Sequence, residues 1–574
     1  MKNVYKKLGL ALMAISLLIA PQCKKEFADI NKNPDEITDP DLTHLFTDAI
    51  YKMAGDEYLQ WFYNNSVYFW RFSQMTVARG GTSSDFNNTA ALGGVPFYTV
   101  MIDMKEIRER IDNMNDEEKA KHQALRALTY IPQVYLGIKY TDWYGSTPYT
   151  EAIEARYTGN FKPVYDSQEE LFNVWLSELS SSIDVLLAAD NSQLSPLNQD
   201  FIFQGDWVAW ARFANSLRLR IAARMEHADP ALMKEILGEI VSKKVDGELA
   251  LIINKDQQAI WAPGASELGP GGTNSLWIEN YGPAQNFSKY MCSNKDPRMQ
   301  IFFRKNGLSD EAITLLQASG VTVPSFATLP VNDPWDRLVG APVAPDDAGN
   351  LNYFGSTLVD SNGTQYSRLP WVEYLYFKPK QDGGTGEYMN YLLGAPEVCL
   401  YLAEFIEKGY VSGIGSAQEW YEKGVRYSCE NYDVRASKAQ IDNYQDRKIT
   451  PEAIDALLAA DGVKYGTDNL EKIILQEIIN LFDNPYEGIA VTRRTGYPKR
   501  SSDLWAWQPY LSSGTELKLP RRFPWGTPGD ATNLANWQEA LSSQGFTADV
   551  NTGDVLNAQR VWWDKNSPNY GDGD

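Results

Sequence analysis

Between Glu117 and Tyr140, the apolar residues Ala124, Leu128, Ile131, Tyr135 and Ile138 recur at steps of four, three, four and three. That spacing places them on one face of a helix, and Pro132 inside the run predicts a kink. Trp207, Trp210, Ala214, Leu217 and Ile221 repeat the pattern, with Asp206 placed to cap the helix start. Arg212, Arg218, Arg220 and Arg224 fall mostly on its other faces. Helical phase is also read from about Leu42 to Met75, and from Asp166 to Ala189, where Glu169 and Glu170 suit the first turn. It returns from Pro396 to Lys408, ahead of Gly409 as C-cap, and over 417–431, 451–460 and 470–482.

The stretch from about Gly247 to Tyr391 lacks a clear period and carries turn signals at Pro263-Gly264, Pro270-Gly271-Gly272, Asp333-Pro334-Trp335 and Asn362-Gly363. An irregular segment of this length inside a compact protein is usually functional. Arg79 to Val95 also reads as a loop. Beyond the last helix, Trp505, Trp507, Trp525, Trp537, Trp562 and Trp563 lie among Gly, Pro and Asn, which predicts ordered loop wrapped over the helices. The chain is therefore mainly α. One domain over 44–574 comprises a helical scaffold (about 44–246 and 392–490), a loop-rich insertion (about 247–391) and a wrapping tail (about 491–574). Several amphipathic pairs imply an α-solenoid element. No clean repeat period is found, so any tetratricopeptide-like pairs are degenerate.

The start of the chain has a different logic. Lys2, Lys6 and Lys7 precede an uncharged run from Leu8 to Ala20, and Cys23 follows Pro21 and Gln22. A basic head and an apolar middle too short for a comfortable bilayer span read as an export signal. Residues 1–22 are expected to be a lipoprotein signal peptide, with the Cys23 thiol diacylated at the new N-terminus. The alternative is an ordinary secretory signal that contains a cysteine. Residues 23–43 hold Asn33-Pro34-Asp35 and Asp39-Pro40-Asp41 and read as an extended linker.

Charge and composition narrow the function. A net charge of −21 repels a phosphate backbone, so no nucleic-acid partner is expected. Cys399 keeps helical phase with Leu402 and Ile406, as a core thiol would, while Cys292 lies in a less regular stretch. Lipidation of Cys23 leaves three cysteines, so disulfides are not expected to hold the fold. The only histidines, His44, His122 and His227, form no metal-spaced motif, and no nucleophile elbow or phosphate loop is present. No catalytic residue is assigned. The 17 Trp and 32 Tyr give many flat apolar faces with polar edges, which suits cores, interfaces and sugar sites alike.

Several segments, in order along the chain, carry a resemblance. They are Cys23 followed by Phe27-Ala28-Asp29-Ile30-Asn31-Lys32-Asn33-Pro34, Tyr140-Thr141-Asp142-Trp143-Tyr144-Gly145-Ser146-Thr147-Pro148-Tyr149, and Pro163-Val164-Tyr165-Asp166-Ser167. The most specific is Trp210-Ala211-Arg212-Phe213-Ala214-Asn215-Ser216-Leu217-Arg218-Leu219-Arg220. Asp296-Pro297-Arg298, the Ala403-Glu404 region, Arg493-Arg494-Thr495-Gly496-Tyr497-Pro498 and Pro520-Arg521-Arg522-Phe523-Pro524, followed by Asn533 and Asn536, complete the set. Together they resemble the SusD-like (SusD/RagB) nutrient-binding outer-membrane lipoproteins of Bacteroidetes. Ser146-Thr147 departs from the acidic residue and Val or Ile that many relatives carry there, which alters only the local turn.

The resemblance implies four tetratricopeptide-like helix pairs, a loop-rich ligand-binding part and surface display on the outer membrane through a lipid anchor. It also implies a partner, a TonB-dependent SusC-like transporter for which the lipoprotein acts as a lid during polysaccharide uptake. The family motifs are scaffold, so Asn215, Arg218 and Arg220 are expected to make buried contacts. Ligand is expected at Arg79 to Asn88 and in the insertion from Trp261 to about Tyr376. There Trp261, Trp277, Tyr281 and Trp335 are candidates to stack on sugar rings, and Arg79, Asp85 and Arg368 to hydrogen-bond hydroxyls. No cofactor or metal ligand is assigned, and a structural Ca²⁺ is left open. A peptide-binding component of the same kind of importer and, from another class, a surface glycosidase with two paired carboxylates remain as alternatives.

Overall fold

Helix pairs that follow one another in sequence build the scaffold of this computed structural model, which describes residues 41–55, 57–89, 95–262, 278–331, 334–379 and 383–573. Cys23, the expected signal peptide 1–22 and Trp277 lie outside the described residues. The helix pairs all belong to the compact unit Phe46–Asp574. In the first pair α1 (Phe97–Asp112) packs on α2 (Tyr130–Tyr144), and in the second α3 (Gln168–Ala188) packs on α4 (Trp207–Met225). The third joins α5 (Ala395–Glu407) to α6 (Ala417–Ala439), and the fourth α7 (Asn469–Asn480) to α8 (Pro485–Thr495), with α7 also against α5.

Local chemistry sets the helix ends. Ser167 and Glu170 form a reciprocal capping box on α3: the Glu170 N–H donates to Ser167 Oγ (3.2 Å) and the Ser167 N–H to Glu170 Oε2 (2.9 Å). Ser416 and Glu419 repeat the device on α6. Asp206 caps α4 as expected, accepting from the Ala209 N–H at 3.0 Å. The single kinked helix expected over Glu117 to Tyr140 is instead three pieces, Asp116–Lys121, Gln123–Leu128 and α2. Pro132 does not kink it. It is the third residue of α2, where its missing N–H would have no intrahelical partner anyway.

The arginines of α4 are buried, as expected of Arg218 and Arg220. Every residue from Trp210 to Met225 is buried, so Arg212, Arg218, Arg220 and Arg224 do not point to solvent. Arg220 forks onto Glu397 of α5, at 2.5 Å from Nε and 2.8 Å from Nη2. Arg224 reaches Glu487 of α8 (2.5 Å) and Asp142 of α2 (3.1 Å). Asn215 Nδ2 donates to the Ala250 carbonyl (2.9 Å), the buried role expected of it. One helix thus ties together all four pairs through buried charge.

The insertion is stitched by very short strands. β1 (Thr76–Ala78) pairs antiparallel with β2 (Tyr281–Pro283), and β3 (Phe303–Arg304) with β4 (Trp371–Val372). The tail returns across the molecule. The Phe523 N–H donates to the Trp143 carbonyl (3.0 Å), the Trp563 N–H to Gln168 Oε1 (3.1 Å), and the Gln508 N–H to Gln74 Oε1 (2.9 Å). It is not all loop: α9 (Leu534–Gln544) lies within it. No disulfide joins Cys292, Cys399 and Cys429. Burial pushes the Cys399 and Cys429 thiols up to about 12, so they act as small hydrophobes.

Candidate functional site

β1 and β2 place the first predicted site residues. Their register sets Ala78 opposite Tyr281, and the Arg79 N–H donates to the Asn280 carbonyl at 2.7 Å, extending the ladder by one bond. Arg79 is half-buried, and its guanidinium lies over the ring of Trp371 on β4, 4.3 Å from the centroid. Burial pulls its pKa below the usual guanidinium value, and the charge of Glu279 pulls it back. No described residue accepts a hydrogen bond from this guanidinium, so its donor edge is open.

The loop after Arg79 is held from below. Phe86 sits under the buried Arg71 guanidinium (3.9 Å) and packs on Phe72 (5.1 Å) and Tyr510 (5.2 Å). Asp85 is thereby carried on an exposed turn, whose carbonyl accepts from the Asn88 N–H at 2.9 Å. Gly81 closes the loop against the insertion. It has φ +84°, and a Cβ there would meet Ala348 Cβ at 2.6 Å, so only glycine fits.

The remaining candidates divide. Arg368 lies three residues before Trp371, but it latches the insertion to itself, donating to the carbonyls of Ser356 and Leu351 at 3.0 Å each. Tyr281 is 7% exposed and faces Arg71, and burial raises its phenol pKa. Trp335 is half-buried on the single turn Pro334–Arg337, where its carbonyl accepts from the Leu338 N–H. Trp261 is a correction. It is 2% exposed, ringed by Tyr51 (5.6 Å), Tyr388 (6.0 Å) and Phe201 (6.3 Å), with Nε1 donating to the Tyr51 carbonyl (3.0 Å). A ring enclosed on all sides has no face for a sugar.

The structure therefore brings together Arg79, Tyr281 and the strand that follows Arg368, carries Asp85 on the exposed loop after Arg79, and leaves Trp261 apart. The sequence reading missed Trp371, along with the stacked pair Tyr353 and Phe326 (5.6 Å), whose tyrosine hydroxyl accepts from Gln285 Nε2 at 3.0 Å. A two-residue strand is too short to show alternation, so nothing local distinguished Trp371. Among the described residues, no group of three or more His, Cys, Asp or Glu is placed to hold a metal ion.

Two family models match in succession. One, described as starch-binding and associating with the outer membrane, covers residues 32–323. The other, described as SusD and RagB outer membrane lipoprotein, covers residues 377–564. The chain belongs to the SusD-like family. Solved SusD-like structures share its fold. A SusD homologue from Bacteroides fragilis is 19% identical with a TM-score of 0.65, covering 92% of this chain and 100% of that one. A chitin-binding SusD homologue from Flavobacterium johnsoniae is 20% identical with a TM-score of 0.59, covering 92% and 99%. A further chitin-binding protein is 21% identical with a TM-score of 0.64, covering 91% and 100%. No curated protein sequence matches. The mainly helical SusD-like architecture expected from the motifs is the one observed, and the family is one of outer-membrane nutrient-binding lipoproteins.

Proposed function

We propose that this protein is a lipid-anchored glycan-binding lipoprotein on the outer face of the outer membrane. In this reading it serves as the lid of a TonB-dependent SusC-like transporter. The observation that supports it most is Arg79, stacked on Trp371 and half-buried, with no described residue accepting from its guanidinium. Its N–H fork offers paired donors to vicinal sugar hydroxyls, and nearby aromatic faces suit sugar C–H groups. Asp85 on the same loop supplies an acceptor. Chitin-binding relatives of the same fold favour a glycan over a peptide.

Transport follows from tethering. Acylated Cys23 would hold the anchor in the membrane while the 23–43 linker lets the body move. Nutrient trapped between lid and barrel touches two surfaces, so neither must bind tightly alone. The reading is tested by calorimetric titration of the full chain in detergent with plant, microbial and host polysaccharides and with a tryptic peptide mixture. Heat with one sugar class, lost in Arg79→Ala, supports it. Heat with peptides alone replaces it with the peptide importer, and release of reducing ends from the sugars would replace it with the glycosidase.

A further inference from the structure

Away from the loops around Arg79, a cleft of about 590 Å³ opens between the end of α2, the 146–165 loop and residues 524–537 of the tail. That size is typical of small-ligand sites. Its aromatic lining is Tyr98, Tyr140, Tyr144, Tyr165, Trp525 and Trp537, and no charged side chain faces it. In a chain of net charge −21, an uncharged cleft selects a neutral ligand. None of the ligand-site residues predicted from sequence lines it; Tyr140, Tyr144, Tyr165 and Pro524 come from the family segments read as scaffold.

The cleft is built before any ligand arrives. Trp525 Nε1 donates to the Tyr144 carbonyl (3.0 Å), Asn533 Nδ2 to the Pro163 carbonyl (2.8 Å), and the Tyr98 hydroxyl to the Pro148 carbonyl (3.1 Å). Trp525 and Trp537 are 6% and 7% exposed and form a floor, with ring centroids 6.3 Å apart. Tyr165 leans on Trp525 at 5.7 Å, and the four tyrosines are half-buried.

Two features there are not explained by packing. Asn533 Oδ1 is buried and accepts no hydrogen bond from a described residue, although its Nδ2 is satisfied. Leaving a buried acceptor unmet forfeits its hydration without return. Ile153, also in the lining, sits at φ +63°, a left-handed conformation rare for a β-branched residue. Strain of that kind clusters at ligand sites.

We propose that this cleft is a second binding site for a neutral oligosaccharide, separate from the Arg79 face. The inference rests on the glycan reading above. Tyrosine faces stack on sugar C–H groups, and a sugar hydroxyl donates to Asn533 Oδ1. An added peptide strand has no open edge here. Among the described residues of the cleft, the one strand-like contact is the bridge between Thr147 and Asp166, and both of its backbone bonds are made (3.0 and 3.2 Å). Two sites on one body hold a single polysaccharide by effective concentration.

The test is photolabelling of the full chain in detergent with diazirine-bearing chitohexaose and maltohexaose, followed by peptide mapping, for the wild type, Tyr165→Ala, Tyr165→Phe and Arg79→Ala. Labels are expected in 140–165 and 524–537 as well as around Arg79. Tyr165→Ala should weaken the cleft label about tenfold, Tyr165→Phe should keep it because the ring remains, and Arg79→Ala should spare it. Labels confined to the Arg79 face in the wild type overturn the second site and leave the glycan reading intact. No label from either sugar anywhere overturns both. The wild-type map decides the matter even if Tyr165→Ala fails to fold.

Discussion

Arg494 and Glu404 meet as a two-toothed ion pair at the centre of the scaffold, with Nη1–Oε1 and Nη2–Oε2 both 2.6 Å. Glu226 (2.6 Å from Arg494) and Lys408 (2.7 Å from Glu404) extend the cluster. Burial pushes the Glu404 carboxyl up, but Arg494 and Lys408 prevail and hold it well below the usual carboxylate range. Arg494→Met would leave Glu404, Glu226 and Glu477 buried with Lys408 as their remaining cation, and a loss of about 3–5 kcal/mol in urea unfolding is expected. A loss under ~1 kcal/mol would mean that water enters the cluster.

Glu178 gives the opposite sign. Burial raises its carboxyl to about 7, against the bond donated by the Tyr149 hydroxyl. In the unfolded chain the group titrates at about 4.3, so between these values the folded state holds the extra proton. This group's contribution is therefore present below pH ~4.3 and lost as pH rises through about 7. Glu178→Gln should flatten that decline by about 2 kcal/mol, allowing for partial exposure to water. Parallel stability–pH curves for the two proteins would refute the assignment.

Arg79→Ala should weaken glycan binding about tenfold with little change in melting temperature, since the side chain is half-buried and bonds no described partner. Arg79→Lys should not restore it, because an ammonium cannot lie flat on Trp371 and donate as a fork. Calorimetry and thermal melts on the same samples separate loss of contact from loss of fold.

Trp261→Ala should act on stability instead. Emptying a fully enclosed indole site costs about 3–5 kcal/mol, and the Tyr51 carbonyl loses its donor. A stable variant with weakened sugar binding would return Trp261 to the ligand site.

Cys23→Ala should release the mature chain from the membrane and abolish palmitate incorporation. A variant that still takes up labelled palmitate would disprove the lipid assignment.

What sequence could tell depends on the range of each interaction. The starts of α3 and α4 were legible because Glu170 and Asp206 sit within four residues of the groups they satisfy. The partners of the α4 arginines were not, because Glu397 and Glu487 lie far along the chain and helical periodicity carries no pairing information. Helix α1 passed unread, although Val100, Met104, Ile107 and Ile111 keep helical phase. The loop that carries Arg79 was identifiable. Trp261 and Trp371, however, have the same composition signal and opposite environments, one enclosed and one partly open. Aromatic content identifies candidates. Only tertiary packing decides which faces stay free.

The returning tail has a consequence for how the molecule comes into being. Asp564 accepts from both Arg493 (3.3 Å) and Arg521 (2.6 Å), so the guanidiniums that close the last helix pair wait for a carboxylate more than forty residues beyond the nearer of them. Contacts of such long sequence separation form late. A chain halted before residue 564 keeps two buried cations unneutralised and cannot close its scaffold. Completion of folding is thus a checkpoint on chain length. A chain cut short of Asp564 leaves these two arginines uncompensated and its scaffold open to proteases.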